Sequence, residues 1–282
     1  MIARGFDLRH TIESGQPLAF YSRYSEKGGV ETVGYVTGKG HVEVSYAKRS
    51  GSIRYAFSRA YDDGTAAEEV RCRLGLKYDI REVYSHINTD RFMSDAIERF
   101  RGMRITKSDP WEAALCFVIS QFNNIKRIRR IVGSMINEFG EEVDGMRLFP
   151  GPEAVAAADV GAIRKCGTGF RDRYIKGIAE QFAYSFNAEK LYGMDYNSAK
   201  DALLELDGVG DKVADCILLF GYGKMEAFPV DTWVRRVVEK VYFKGGKRSV
   251  DAIHEFADRS WAGYQGYAQQ YIFWKGRESN IG

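Results

Sequence analysis

The stretch "LLELDGVGDKVADCILLF" (residues 203–220) reads as a helix, a tight turn and a second helix. Gly208 and Gly210 permit positive φ in that turn and leave backbone N–H groups uncovered. At the amino end of a helix such groups form a ready phosphate site. The Gly208-Val209-Gly210 turn therefore suits a sequence-independent grip on a nucleic-acid backbone. Lys212 is then oddly placed, because the first turn of a helix carries partial positive charge and mildly disfavours a cation. It reads either as a surface lysine touching phosphate or as an amine kept for nucleophilic attack. The hairpin alone favours the first reading.

"FPVDTWVRR" (228–236) reverses that preference. Asp231 lies 19 positions beyond Lys212, after a loop containing Pro229 and at the mouth of a new helix. An aspartate there is a good N-cap. A cap also holds a carboxylate at a fixed point, here one facing the hairpin. An amine and a carboxylate brought together could displace a leaving group from a sugar carbon. The carboxylate would stabilise the cationic sugar, as in glycoside chemistry.

Around this pair the chain has 282 residues, 45% hydrophobic and 28% charged, the balance of an ordinary soluble protein with room for two or three compact units. No apolar run approaches the roughly 18 residues of a membrane span, and "MIARGFDLRHTIESGQ" lacks the apolar core of a secretory signal. Cys72, Cys116, Cys166 and Cys216 are scattered, with no close pair to suggest a zinc site, redox motif or disulfide framework. These features predict a reduced protein inside the cell, in cytoplasm or nucleoid (the nucleus in a eukaryote). The net charge of +3 is unremarkable, but bases cluster in "NNIKRIRR" (123–130), "RKCGTGFRDRYIK" (164–176) and "WVRRVVEKVYFKGGKR" (233–248). Each patch alone could be a solvated helix face. Together they tilt toward an anionic polymer.

The first part of the chain reads as sheet. "HVEVSYA" (41–47) and "IRYAF" (53–57) alternate apolar residues about a "KRSG" turn, and "VGYVTGKGHVEV" (33–44) forms another hairpin near Gly38–Gly40. From about residue 79 the signal becomes helical. "SDPWEAALCFVIS" (108–120) has Asp109 as N-cap and Pro110 at the first helical position. The expected fold class is α+β: an N-terminal antiparallel β-sheet domain over 1–80, then a mostly α-helical body over 81–282 with the helix-hairpin-helix at 199–220.

The hairpin lysine followed by "VDTW" resembles the helix-hairpin-helix Gly/Pro-Asp DNA glycosylase superfamily. Four further segments resemble its 8-oxoguanine DNA glycosylase branch, in order along the chain: "ESGQPLAF", "DPWEAALCFVISQFNNIKRI", "GTGFRDRYI" and "SWAGYQGYAQQYIF". The resemblance implies a bifunctional enzyme without cofactor, acting as a monomer on double-stranded DNA that contains an oxidised purine, and not on membranes. Lys212 would attack C1′ and Asp231 assist, with an AP lyase nick following from the Schiff base. Gly15, Cys216, Gln269 and Phe273 would form the base pocket. Asn123, Arg127, Phe170 and Arg171 would wedge the gap and meet the orphaned cytosine. The turn Gly208, Val209 and Gly210 would hold phosphate, and the carbonyls of Leu204, Leu206 and Val209 could hold a structural cation.

The chain departs from the branch pattern at three places. Phe122 replaces the first of three asparagines, Phe170 stands where tyrosine is common, and Trp233 stands where a histidine is expected. Phe122 can stack in the gap but cannot hydrogen-bond cytosine. Rival readings fare worse. An endonuclease III-like cluster needs cysteines after Cys216, and none follows. Alkylated-base glycosylases generally lack the hairpin lysine. A non-catalytic DNA-binding protein needs the hairpin but not Lys212, Asp231, Gln269 and Phe273 together.

Overall fold

The computed structural model describes residues 1–16, 24–58, 62–279 and 281; residues 17–20 of the "ESGQPLAF" segment lie outside them. After a short helix α1 (Leu8–Glu13), strands β1 (Ser25–Lys27), β2 (Val30–Val36), β3 (His41–Ala47) and β4 (Ser52–Phe57) form an antiparallel sheet in sequential order. The alternation in β3 buries Val42, Val44 and Tyr46 on one face. Register pairs Val33 with Val44 and Tyr35 with Val42, which puts the apolar positions of both strands on the same side. Between β2 and β3, the Thr37 hydroxyl accepts the N–H groups of Lys39 (3.0 Å) and Gly40 (3.2 Å) and closes the turn.

Helix α2 (Asp63–Arg73) packs on β3 and begins well before residue 79, where the sequence pattern first turns helical. Its interior offers only Ala66 and Val70 as buried anchors, too few for a periodic signal, and its end is set by Asp62 accepting the Thr65 N–H. Helix α1 was equally invisible because it is six residues long.

The helical body follows as α3 (Ile80–Ile87), α4 (Arg91–Arg99), α5 (Pro110–Ser120) and α6 (Ile125–Phe139). A two-stranded β5 (Glu142–Val143) and β6 (Met146–Arg147) leads to α7 (Pro152–Ala157), α8 (Val160–Ile163) and α9 (Asp172–Tyr184). The chain ends with α10 (Tyr196–Leu204), α11 (Asp211–Ile217), α12 (Thr232–Tyr242), α13 (Val250–Trp261) and α14 (Gln265–Glu278). Helix α5 is buried on every side from Pro110 to Ile119, as an all-apolar helix at the centre of a core must be. Its one acid, Glu112, pairs at 2.7 Å with Arg73 of α2, a buried bridge between sheet layer and body. Burial pushes the Glu112 carboxyl up to about 7 even against the Arg73 charge.

The α10–α11 hairpin requires only one of its two glycines, since Gly210 has φ −106° and open space around it. Gly208 has φ +74°, and a Cβ there would stand 2.7 Å from Cβ of Tyr174 on α9. Behind it, the buried Asp215 carboxylate of α11 receives Tyr196 and Lys200 of α10 and faces His254 of α13 at 3.3 Å. That cluster ties three helices to the back of the hairpin. Helices α12 and α14 touch at Gly276, where a Cβ would lie 2.4 Å from Val237. Among the described residues no helix is long and apolar enough to cross a membrane.

Candidate active site

Lys212 sits in the first turn of α11 and Asp231 caps α12. Both line a single cavity of about 280 Å³, together with Gly15, Cys216, Gln269 and Phe273. The Lys212 ammonium donates to Ser120 Oγ at 3.2 Å and lies 5.0 Å from the Phe117 ring centre, so the end of α5 holds the amine in place. Asp231 accepts the Val234 N–H at 2.8 Å, the cap bond the sequence predicts. Burial raises the Asp231 carboxyl above the usual range, with the Val234 N–H and then the Lys212 charge acting against it.

Cys216 lies one turn beyond Lys212 and is a second conceivable nucleophile. Burial pushes its thiol up to about 12 despite the neighbouring Lys212 charge. A protonated, buried thiol is a poor nucleophile.

The rest of the cavity is built for a flat polar ring. Gln269 is buried and donates from Nε2 to the Pro229 carbonyl at 3.1 Å. Its Oε1 has no hydrogen-bond partner among the described residues and stands as a free acceptor. Phe273, one turn along α14, is half-buried and contacts Gly15. Gly15 has φ +80°, and a Cβ there would lie 2.8 Å from Ile125 and 3.1 Å from Phe273.

The backbone around Gly15 is pinned by residues the sequence did not single out. Gln270 donates to the Ser14 carbonyl at 2.9 Å. Gln16 donates to the carbonyls of Thr11 (2.8 Å) and Arg104 (2.7 Å) and accepts the Thr106 N–H (2.6 Å). Both glutamines are buried. Their partners lie up to 256 residues away, so only the fold reveals the role; adjacency to Gly15 and Gln269 was the available hint. Gly15→Ala forces an alanine to positive φ and into two side chains. Single-turnover excision should fall roughly tenfold or more with folding still cooperative. Unchanged excision would show that the Gly15 backbone does not bear on the substrate.

Comparison with known proteins supplies the family. Residues 115–262 match the model of the HhH-GPD superfamily base excision DNA repair protein. The chain belongs to that superfamily. Residues 2–114 match the 8-oxoguanine DNA glycosylase N-terminal domain. Among curated relatives of this HhH-GPD chain, a probable N-glycosylase/DNA lyase of Methanothermobacter thermautotrophicus is 32% identical over 244 residues, covering 77% of each chain. The N-glycosylase/DNA lyase of Arabidopsis thaliana is 28% identical over 94% of this chain and 78% of its own. The 8-oxoguanine glycosylase/lyase of Clostridium acetobutylicum, solved with dsDNA containing cytosine opposite 8-oxoG, superposes with a TM-score of 0.84 at 26% identity, covering 98% of this chain and 93% of its own.

The residues of this HhH-GPD protein expected to meet DNA gather at an exposed aromatic tip. Phe122 is 90% exposed and Phe170 is 56% exposed, their ring centres 6.3 Å apart. Arg171, expected to meet the orphaned base, is instead buried. It donates to the carbonyls of Gln121 (2.8 Å), Phe122 (3.2 Å) and Thr168 (3.1 Å) and stacks on Phe170 at 4.4 Å. A guanidinium has five donors and these carbonyls occupy most of them, so in this structure Arg171 braces the tip. Asn123 lines the cavity and donates back to Ile119 at 3.2 Å. Arg127 is exposed beside the Gly167 carbonyl at 3.4 Å. Gln121 joins the tip to the hairpin by donating to the Gly208 carbonyl at 2.9 Å. Gly210 is exposed with open space around it, and Val209 is buried beneath.

Proposed function

We infer that this protein is a bifunctional N-glycosylase/DNA lyase that removes 8-oxoguanine from duplex DNA. The observation that carries the reading is the convergence of Lys212 and Asp231 on one cavity whose other walls suit a purine. The target nucleotide leaves the duplex stack, and its base slides between Cys216 and Phe273. The free Oε1 of Gln269 accepts from the donors on the Watson–Crick edge of guanine. The Gly15 carbonyl selects the lesion, because oxidised guanine carries a donor at N7 where guanine has an acceptor. Pairing an acceptor with an acceptor costs about 1–3 kcal/mol.

Lys212 first gives up a proton. Its amine then forms a bond to C1′ as the bond to the base breaks. The base leaves with the electron pair and takes up a proton, and the Asp231 carboxylate opposes the cationic sugar. Opening of the sugar gives an imine. Loss of a C2′ proton expels the 3′ phosphate and nicks the strand. The protein's own amine forms the bond, so the reaction calls for no cofactor. The enzyme works as a monomer inside the cell. The hairpin carbonyls of Leu204, Leu206 and Val209 are hard oxygen donors of the kind a structural cation uses. Leu206 keeps a lone pair after accepting the Val209 N–H at 3.1 Å.

Borohydride should trap a covalent complex between wild-type protein and a duplex containing 8-oxoguanine, but not with undamaged duplex. Binding without trapping would end the lyase reading. The same assay with each of the four opposite bases should give rates within about tenfold of one another, since Phe122 and Phe170 stack on any base, and stacking is sequence-tolerant. Phe122→Asn should raise the preference for cytosine.

A further inference from the structure

Arg277 lies two turns beyond Gln269 and one beyond Phe273 on the same face of α14, and it lines the same cavity. It is half-buried, and among the described residues no hydrogen bond or ion pair occupies its guanidinium. A cation in the last turn of a helix is favourable in itself. Lys275 already fills that role, donating to Phe92 at 2.9 Å with Asp95 at 3.8 Å. The helix end therefore explains why a base is tolerated in this turn, but not why a second one faces the cavity.

Its neighbours sharpen the question. Arg277 is near enough to Asp231 that its charge favours the ionised carboxylate. Its charge also disfavours that of Arg129 on α6, an effect smaller than both burial and the opposing charge of Glu13. Arg129 itself donates to the Ile12 carbonyl at 3.2 Å. Glu13, the acid whose charge acts on Arg129, is already paired with Arg9 at 3.0 Å.

This arrangement conflicts with the chemistry unless something neutralises it. Excision develops positive charge on the sugar, beside Asp231. An uncompensated cation at that point would oppose the transition state, and burying it unpaired is costly. The substrate brings only one kind of anion, the phosphodiester. The base positions are already served by Gln269, Gly15, Cys216 and Phe273, which leaves the sugar–phosphate side for Arg277.

We propose that Arg277 binds a phosphate flanking the flipped nucleotide and holds the sugar against Lys212 and Asp231. A guanidinium fork suits phosphate in two-point contact, and its charge is cancelled only when the damaged strand is seated. This rests on the glycosylase reading above and adds a positioning residue to it.

Binding can be separated from turnover in a Lys212→Gln background. Affinity for a duplex containing 8-oxoguanine, and for the same duplex with guanine, is measured across a salt series. One phosphate contact contributes a slope of about 0.9 in log affinity against log salt, or roughly tenfold in affinity near 0.1 M. Arg277→Gln should lose that affinity and that slope on the lesion duplex, and Arg277→Lys should restore most of both. Affinity for undamaged duplex should not change. Loss of affinity with an unchanged slope would mean that Arg277 only packs the end of α14, and would overturn the proposal. Equal loss on both duplexes would make Arg277 part of a general DNA surface, which also overturns it. Failure of the underlying reading shows separately, as a wild-type protein that neither prefers the lesion duplex nor is trapped on it.

Discussion

Lys212→Gln should abolish borohydride trapping and lower excision by on the order of 10⁴-fold or more, the scale seen when a covalent nucleophile is removed. Glutamine has no amine to form the imine, and no other group in the cavity replaces it. Cys216 is the nearest candidate, and burial pushes its thiol up to about 12. The stability effect should run the other way. Lys212 places a cation at the amino end of α11, where the dipole disfavours it by about 0.3–1 kcal/mol. The variant should therefore melt at the same temperature or slightly higher. Opposite signs for activity and stability mark a residue kept for chemistry. A variant that unfolds early would recast Lys212 as a packing residue, and one that still forms an imine would move the nucleophile elsewhere.

Asp231→Asn is the second large effect, and it separates the two roles of one side chain. Asparagine caps helices as well as aspartate does, so α12 should keep its start and the fold its stability. What disappears is the charge that opposes the cationic sugar. Losing one such preorganised group costs about 10²–10³-fold in rate. The pH profile supplies an independent check. Burial raises the Asp231 carboxyl, so wild-type excision should fall on acidification at a pH above that of an ordinary aspartate. The variant should lack that limb. For stability the sign is reversed: the folded state keeps this proton to higher pH than the unfolded chain, so stability from this group declines as pH rises through the folded pKa. A variant within a few-fold of wild type, with the acidic limb intact, would remove Asp231 from the chemistry.

The site was legible where chemistry is carried by short local patterns. Lys212 announces itself by an odd place in a helix's first turn and Asp231 by capping the next helix start, and the structure brings both to one cavity. The sheet hairpins followed from alternation, and α5 from its Asp109 cap and Pro110. Helices α1 and α2 were missed because a short or sparsely apolar helix leaves no period to detect. Gln16 and Gln270 escaped because their bonds join segments distant in sequence, and a buried glutamine looks like a surface one until its partners are known. The bracing bonds of Arg171 lie beyond a sequence reading for a related reason. Its residue type suggests a base contact, whereas the backbone of the neighbouring loop uses up its donors.

That buried arginine has a consequence for how the enzyme searches. Phe122 stands on a backbone with φ +48°, unusual for a bulky residue, and the Arg171 bonds together with the Gln121–Gly208 bond keep it there. The tip is thus ordered before any duplex arrives, and contact with DNA spends no affinity on folding a loop. A stiff aromatic probe can press on successive base steps at the pace of diffusion along the strand, and the step that yields is the one already weakened by damage. On this view the tip is a gauge of local duplex compliance, and the cavity behind it identifies only what the gauge has let through.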